Sequence, residues 1–369
     1  MANLAIGIIG LPNVGKSTLF QALTAVEVAA ENYPFCTIDP NVGLVEVPDP
    51  RLDRIHEIAG EGKARVPAVV EFVDIAGLAE GASRGEGLGN RFLHHVREAD
   101  ALLHVVRAFE DESVVRTGGA STDPLRDREI VETELALADL ETVGRGKSRR
   151  ARKVRGGEKE AAAELELLER VEAELDAGEP VRRLALRPEE EKTLRPLGLL
   201  TGKPVMFVLN VGESGLAEEA PPVRRFRETL EATDPGTPCL VISAELEAEV
   251  AQLPPGERAE YLRLLGLEES GLGRVVRTGY DLLGLRTFFT IGDAEVRAWT
   301  VPAGARAPEA AGRVHTDFER GFIRAETVGC EEFLAAGSLK EARKRGLVRS
   351  EGKEYVVQDG EILLFRAAR

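Results

Sequence analysis

Short apolar runs at residues 4–9, 42–47, 69–73, 101–108, 205–209 and 240–242 punctuate the first two-thirds of the chain, with helical or loop segments between them. That pattern predicts a mostly parallel sheet with helices on both faces. Near Ser121 the sequence turns rich in Ala, Leu, Glu and Arg, and strand chemistry returns near Lys203. Within this stretch Ile130, Leu137 and Leu140 recur at helical spacing on a first arm of about 127–154. Leu168, Val171 and Leu175 do so on a second arm of about 158–175, and Gly156 and Gly157 lie between the two. An antiparallel helical hairpin inserted into the sheet domain is expected. From about Tyr280 the pattern changes again, to short β-rich runs punctuated by Gly and Pro and ending at 362–365, which reads as a separate small α+β domain. The expected division is 1–120 with 203–278 for the sheet domain, 121–202 for the hairpin and 279–369 for the C-terminal domain.

One motif changes this picture from architecture to chemistry. Residues 10–17 read Gly-Leu-Pro-Asn-Val-Gly-Lys-Ser, a complete Gly-x-x-x-x-Gly-Lys-Ser phosphate loop between a strand and a helix. The fold class is therefore α/β, a P-loop NTPase sheet domain carrying the hairpin and followed by the α+β domain. Gly10 and Gly15 let backbone N–H groups face a triphosphate. Lys16 brings a cation to the β- and γ-phosphates, the Ser17 hydroxyl is a Mg2+ ligand, and Asn13, Val14 and Thr18 complete the cradle. A second motif, Asp74-Ile75-Ala76-Gly77, follows the strand at 69–73. Asp74 is expected to hold a magnesium-bound water and Gly77 to sense the γ-phosphate, the pattern of a switch-type hydrolase. The glycine-rich run at 79–90 reads as its mobile switch. Between the motifs, Thr37 is the candidate to complete magnesium coordination. Its neighbour Cys36 is either a redox-sensitive spot or a small residue without a role.

The base-reading segment departs from a GTPase. Where Asn-Lys-x-Asp is usual, the chain has Asn210-Val211-Gly212-Glu213, losing the lysine and moving the carboxylate one methylene outward. Asn210 is read as favouring adenine, whose edge offers both a donor and acceptors. Ser243, Ala244 and Glu245 take the place of the Ser-Ala-Lys loop beside the base.

Composition adds limits. The chain has 369 residues and a formal net charge of -15, which argues against wholesale coating of nucleic acid. Its three cysteines form no Cys-x-x-Cys pair, so a reducing cytoplasm is expected. With no signal peptide and no membrane span expected either, the picture is of a cytoplasmic monomer. Arginine greatly outnumbers lysine, which fits a thermophile or a GC-rich genome.

These residues resemble the YchF subfamily of Obg-like ATPases, within the translation-factor class of P-loop hydrolases. The resemblance rests on both motifs above, on Asn210-x-x-Glu213, and on three C-terminal segments. These are Val-Arg-Ala-Trp-Thr-Val (296–301), His-Thr-Asp-Phe-Glu-Arg-Gly-Phe-Ile-Arg-Ala-Glu (315–326) and Val-Gln-Asp-Gly (357–360), which look like a TGS domain, a β-grasp module. It implies hydrolysis of ATP in preference to GTP, and association with ribosomes or structured RNA. Catalysis is where the chain departs from expectation. Leu78 stands where many GTPases place a water-orienting glutamine, and Arg116 stands where the family offers a histidine. His94, His95 and His104 lie on a predicted helix and strand, as packed or exposed residues. Two functions stay open: a slow ATPase cycling on a ribosomal partner, or an ATP-responsive binding module with vestigial hydrolysis. A nucleotide kinase is the poorer reading, for want of an acceptor domain. Residues 145–155 carry seven basic side chains and no acid at the expected hairpin tip. They read either as a phosphate-backbone contact through Arg149, Arg150, Arg152 and Lys153, or as a helix face neutralised by glutamates of the second arm.

Overall fold

The computed structural model describes residues 4–25, 41–75, 88–109, 123–158 and 160–368. Among these, two compact units are found: one holds the described residues within 1–26, 38–43 and 71–274, the other those within 44–70 and 275–369.

The first unit is built on a six-stranded sheet of β1 (Ala5–Ile9), β2 (Val42–Glu46), β4 (Val69–Asp74), β5 (Ala101–Arg107), β6 (Val205–Asn210) and β7 (Cys239–Ile242), in the order β2-β4-β1-β5-β6-β7. β4, β1, β5, β6 and β7 are mutually parallel along the ladder. β1, β5 and β6 are buried almost throughout, which is why they read as continuous apolar runs and not as alternating ones. α1 (Lys16–Thr24) follows β1 directly, and α3 (Leu88–Glu98) precedes β5.

α4 runs from Pro124 to Arg155, with Asp123 capping its first turn and Pro124 at its first position. α5 (Glu160–Asp176) returns alongside it, the ion pairs Lys147–Glu172, Arg150–Glu164 and Lys153–Glu158 stepping in opposite senses along the two helices. The α5 stripe is as expected, with Leu168, Val171 and Leu175 buried. On α4 the expected stripe is corrected: Leu137 is 40% exposed, while Val131, Leu135 and Ala138 enter the core beneath the sheet. Further along, Val143 packs with α5. The helix changes partner midway, so no single stripe serves its whole length. Asp139 pins this root, its buried carboxylate accepting from the N–H groups of Leu200 and Thr201, both at 2.8 Å, and from the Thr201 hydroxyl at 2.7 Å.

The second unit contains a six-stranded sheet in the order β11-β10-β12-β8-β9-β3. Its strands are β3 (Ala64–Val66), β8 (Leu285–Ile291), β9 (Glu295–Pro302), β10 (Phe322–Gly329), β11 (Arg349–Glu351) and β12 (Glu361–Ala367). β3 pairs in parallel with β9, in the register Ala64↔Glu295 to Val66↔Arg297. α2 (Pro50–Ala59) belongs to the same unit, held through Arg51 to Asp359 at 2.6 Å and Arg54 to Glu331 at 2.8 Å. Within 44–70, expected in the sheet domain, α2 and β3 group with the C-terminal residues, while β2 and β4 are strands of the first sheet.

Candidate nucleotide site

The strand β1 ends at the phosphate loop, where the backbone does what only a few residue types allow. Gly10 and Gly15 have φ of 148° and 96°, and Asn13, at 62°, is the only non-glycine with positive φ among the described residues. Asparagine tolerates that left-handed conformation better than most residues. A side chain at Gly15 would also collide with the Asn210 amide, 2.2 Å from an added Cβ, and one at Gly10 would meet the Val105 carbonyl oxygen at 2.4 Å. α1 then begins at Lys16 with no side-chain cap and no acid in its first turn. Its free N–H groups and positive dipole end make an anion site.

Lys16 is 7% exposed, and its ammonium donates to the Leu11 carbonyl at 2.6 Å. Burial pulls its pKa down to about 8, with the Asp74 charge opposing. Ser17 is exposed and its hydroxyl donates to Asp74 Oδ2 at 3.1 Å. Asp74 Oδ1 is buried, with no hydrogen-bond partner among the described residues. A buried carboxylate oxygen left unpaired is costly unless a ligand completes it. Beside an exposed hydroxyl and an anion site, this acceptor fits a water carried by a magnesium ion that is otherwise held by phosphates. Among the described residues no group of three His, Cys, Asp or Glu side chains could hold a metal by itself.

The base-reading residues divide into structural and open ones. Asn210 is 5% exposed, donating to the Val14 carbonyl at 3.0 Å and accepting from the Ala244 N–H at 2.9 Å. Its amide ties the phosphate loop to the 243–245 segment, which leaves one amide hydrogen and one oxygen lone pair uncommitted. Val211 is a core residue, and Ser243 is buried, its hydroxyl capping the next helix through Leu246 N–H at 3.4 Å. Glu213, Thr18 and Glu245 are exposed. Glu213 lines a cleft of about 670 Å³ with Leu216, Leu246 and Leu267. Thr37, Gly77, Leu78, Arg116 and Cys36 lie outside the described residues.

His104, on β5, is 2% exposed and packs against Phe207, the rings tilted with centroids 5.2 Å apart. Burial pushes its pKa down to about 3, so it is a neutral packed residue. Of the hairpin cations, Arg150 and Lys153 are engaged with Glu164 at 2.9 Å and Glu158 at 3.3 Å. Arg149, Arg152 and Arg155 are exposed and have no acidic partner among the described residues. Positions three apart share one helix face, so these arginines form a stripe that grouping by sequence alone does not isolate.

A phosphate loop before an uncapped helix, with an aspartate at the end of the adjoining strand, defines a P-loop nucleoside triphosphatase of the GTPase type. Residues 5–138 match a family described as 50S ribosome-binding GTPase, and residues 285–368 match YchF-GTPase_C, described as a protein of unknown function. The chain is 49% identical over 359 residues to the ribosome-binding ATPase YchF of Escherichia coli O157:H7, covering 97% of this chain and 98% of that one. It is 40% identical to Obg-like ATPase 1 of Rattus norvegicus, covering 99% and 92%. The solved structure of the Schizosaccharomyces pombe YchF GTPase superposes with a TM-score of 0.89 at 36% identity, covering 99% of this chain and 98% of that one. The chain belongs to the YchF family.

Proposed function

We propose that this chain is a cytoplasmic, monomeric, ribosome-binding ATPase that takes ATP in preference to GTP. The observation that carries the reading is the uncapped start of α1, with the Ser17 hydroxyl on Asp74, whose Oδ1 has no hydrogen-bond partner among the described residues. The names of its close relatives supply the nucleotide and the partner. Mg2+ is assigned to Ser17 and Thr37 and, through water, to Asp74. Gly77 senses the γ-phosphate, and residues 279–369 act as the TGS-like module. In a competition assay ATP is expected to displace labelled nucleotide at lower concentration than GTP. Gly212 faces open space, so Gly212→Lys will be accommodated. It will still leave ATP preferred, because Val211 and Glu213 remain. GTP ahead of ATP in the parent protein overturns the assignment.

The order of residues around Leu78 favours slow hydrolysis, well below the ~1–100 per second typical of kinases, since leucine cannot orient water. Single-turnover measurements with and without ribosomes separate a cycling ATPase from an ATP-responsive binder. Acceleration by ribosomes supports the first, and unchanged negligible turnover supports the second.

For the ribosomal interface, the stripe of Arg149, Arg152 and Arg155 takes the place of the expected set of four, because Arg150 and Lys153 are already neutralised. Arg149→Gln/Arg152→Gln/Arg155→Gln is expected to flatten the salt dependence of ribosome binding by roughly 0.7–0.9 in log–log slope for each phosphate no longer neutralised. ATP affinity will not change. Equal sedimentation of parent and variant at every salt concentration removes the hairpin from the interface.

A further inference from the structure

We infer that the leucine-lined cleft beside Glu213 is a docking surface for a basic amphipathic helix of a partner protein. The cleft, of about 670 Å³, is walled by Leu216, Leu246, Leu265 and Leu267. One wall is the turn Leu264-Leu265-Gly266-Leu267, and local geometry makes that turn rigid. The helix Pro255–Leu264 ends where Gly266, at φ 75°, takes the left-handed conformation. Its N–H donates to the Arg263 carbonyl at 3.0 Å, and the Leu267 N–H donates to the Leu262 carbonyl at 2.9 Å. These are the paired bonds of a Schellman cap. Leu262 and Leu267 turn inward to one apolar cluster with Leu246. The same geometry leaves Leu264 80% exposed and Leu265 36% exposed. A single exposed leucine is ordinary, but two held by a capped turn at an apolar cleft form a preorganised platform. Leu264 is not part of the cleft lining, so a small ligand filling the cleft leaves it in water. Only an occupant larger than the cleft covers it.

Charge sets the kind of partner. Glu213 lines the cleft itself, and exposed acids adjoin its walls in sequence: Glu218 after Ala217, Glu245 before Leu246, and Glu268 and Glu269 after Leu267. Among the described residues no Lys or Arg lines the cleft. The nearby arginines are turned back onto backbone carbonyls, Arg258 donating to Leu253 and Ala251 and Arg263 to Ala259. Such a rim repels the phosphates of nucleic acids and of anionic lipid headgroups and attracts Lys and Arg. A helix with an apolar stripe on one face and cations on the others meets both demands. Its apolar side chains enter the cleft and cover Leu264, while its cations face the glutamates.

Fluorescence anisotropy of a fluorescein-labelled synthetic helix of Leu and Lys, its leucines on one face, is measured with the full-length protein across a NaCl series. Control peptides carry Ser in place of Leu, or Glu in place of Lys. The parent should bind the Leu/Lys helix and neither control, and saturating ATP should leave the peptide bound. Leu264→Ser/Leu265→Ser should bind it roughly tenfold or more weakly at every salt concentration, because two leucines leave an apolar contact. Glu268→Gln/Glu269→Gln should weaken binding at low salt and match the parent at high salt, where screening removes the contribution of the charges. No binding by the parent, parental affinity in the leucine variant, or equal binding of the Ser control overturns the docking surface. Equal binding of the Glu control, or an unchanged salt dependence in the glutamate variant, overturns the basic partner. Displacement of the peptide by ATP shows that the base fills the cleft and overturns a separate surface. A parent dimer in sedimentation velocity that the leucine variant loses gives the face to a second copy of this chain and overturns the partner named here.

Discussion

Lys16→Ala will weaken triphosphate binding by roughly 10- to 100-fold. A charge-assisted hydrogen bond is worth ~1.5–3 kcal/mol, and each 1.4 kcal/mol is about tenfold in affinity. The backbone N–H groups of the loop remain, so residual binding is carried by amides and the helix end alone. The parent protein should also show a pH signature that the variant lacks. In the free protein the Lys16 pKa lies at about 8, lowered by burial. A bound triphosphate raises it, because opposite charge favours the ammonium. Binding must then take up a proton above pH 8, and affinity falls as pH rises through that value towards the bound-state pKa. Below pH 7 this group contributes no pH dependence. Calorimetry in buffers of different ionisation enthalpy reads the proton directly. Unchanged affinity in Lys16→Ala, or no proton uptake by the parent at pH 9, contradicts the assigned role.

Asp139→Ala should destabilise the fold by about 2–5 kcal/mol, since each buried donor left unpaired costs ~1–3 kcal/mol and two backbone N–H groups lose their acceptor. That is a large share of the ~5–15 kcal/mol typical of a domain. Asp139→Asn will recover only part, because an amide presents one acceptor atom and turns its NH2 towards the other donors. Denaturant unfolding measures both variants. A destabilisation below 1 kcal/mol for alanine shows that water replaces the carboxylate and that the root of α4 is not pinned there.

Local rules explain what was legible in the sequence. The phosphate loop, β1 and α1 are fixed by residues within twenty positions of each other, and Asp74 by its strand. Other features depend on partners that sequence spacing does not reveal. The true inner face of α4 through Val131, Leu135 and Ala138 exists because the sheet lies under its first half, while α5 takes over further on. The neutralisation of Arg150 needs Glu164 on the facing helix. The engagement of Asn210 with Val14 and Ala244 appears only when three loops converge. β3, three residues with two exposed, carries no alternating signal at all.

That short strand also sets a timetable. Ala64 leaves the translating ribosome about 230 residues before Glu295, its partner in the ladder. At ~5–20 residues per second of synthesis, the delay is roughly 10–50 s. Throughout it, Val66, which ends up fully buried, has no sheet to enter. The C-terminal sheet thus completes its β3 edge only after β9 has emerged, late in synthesis.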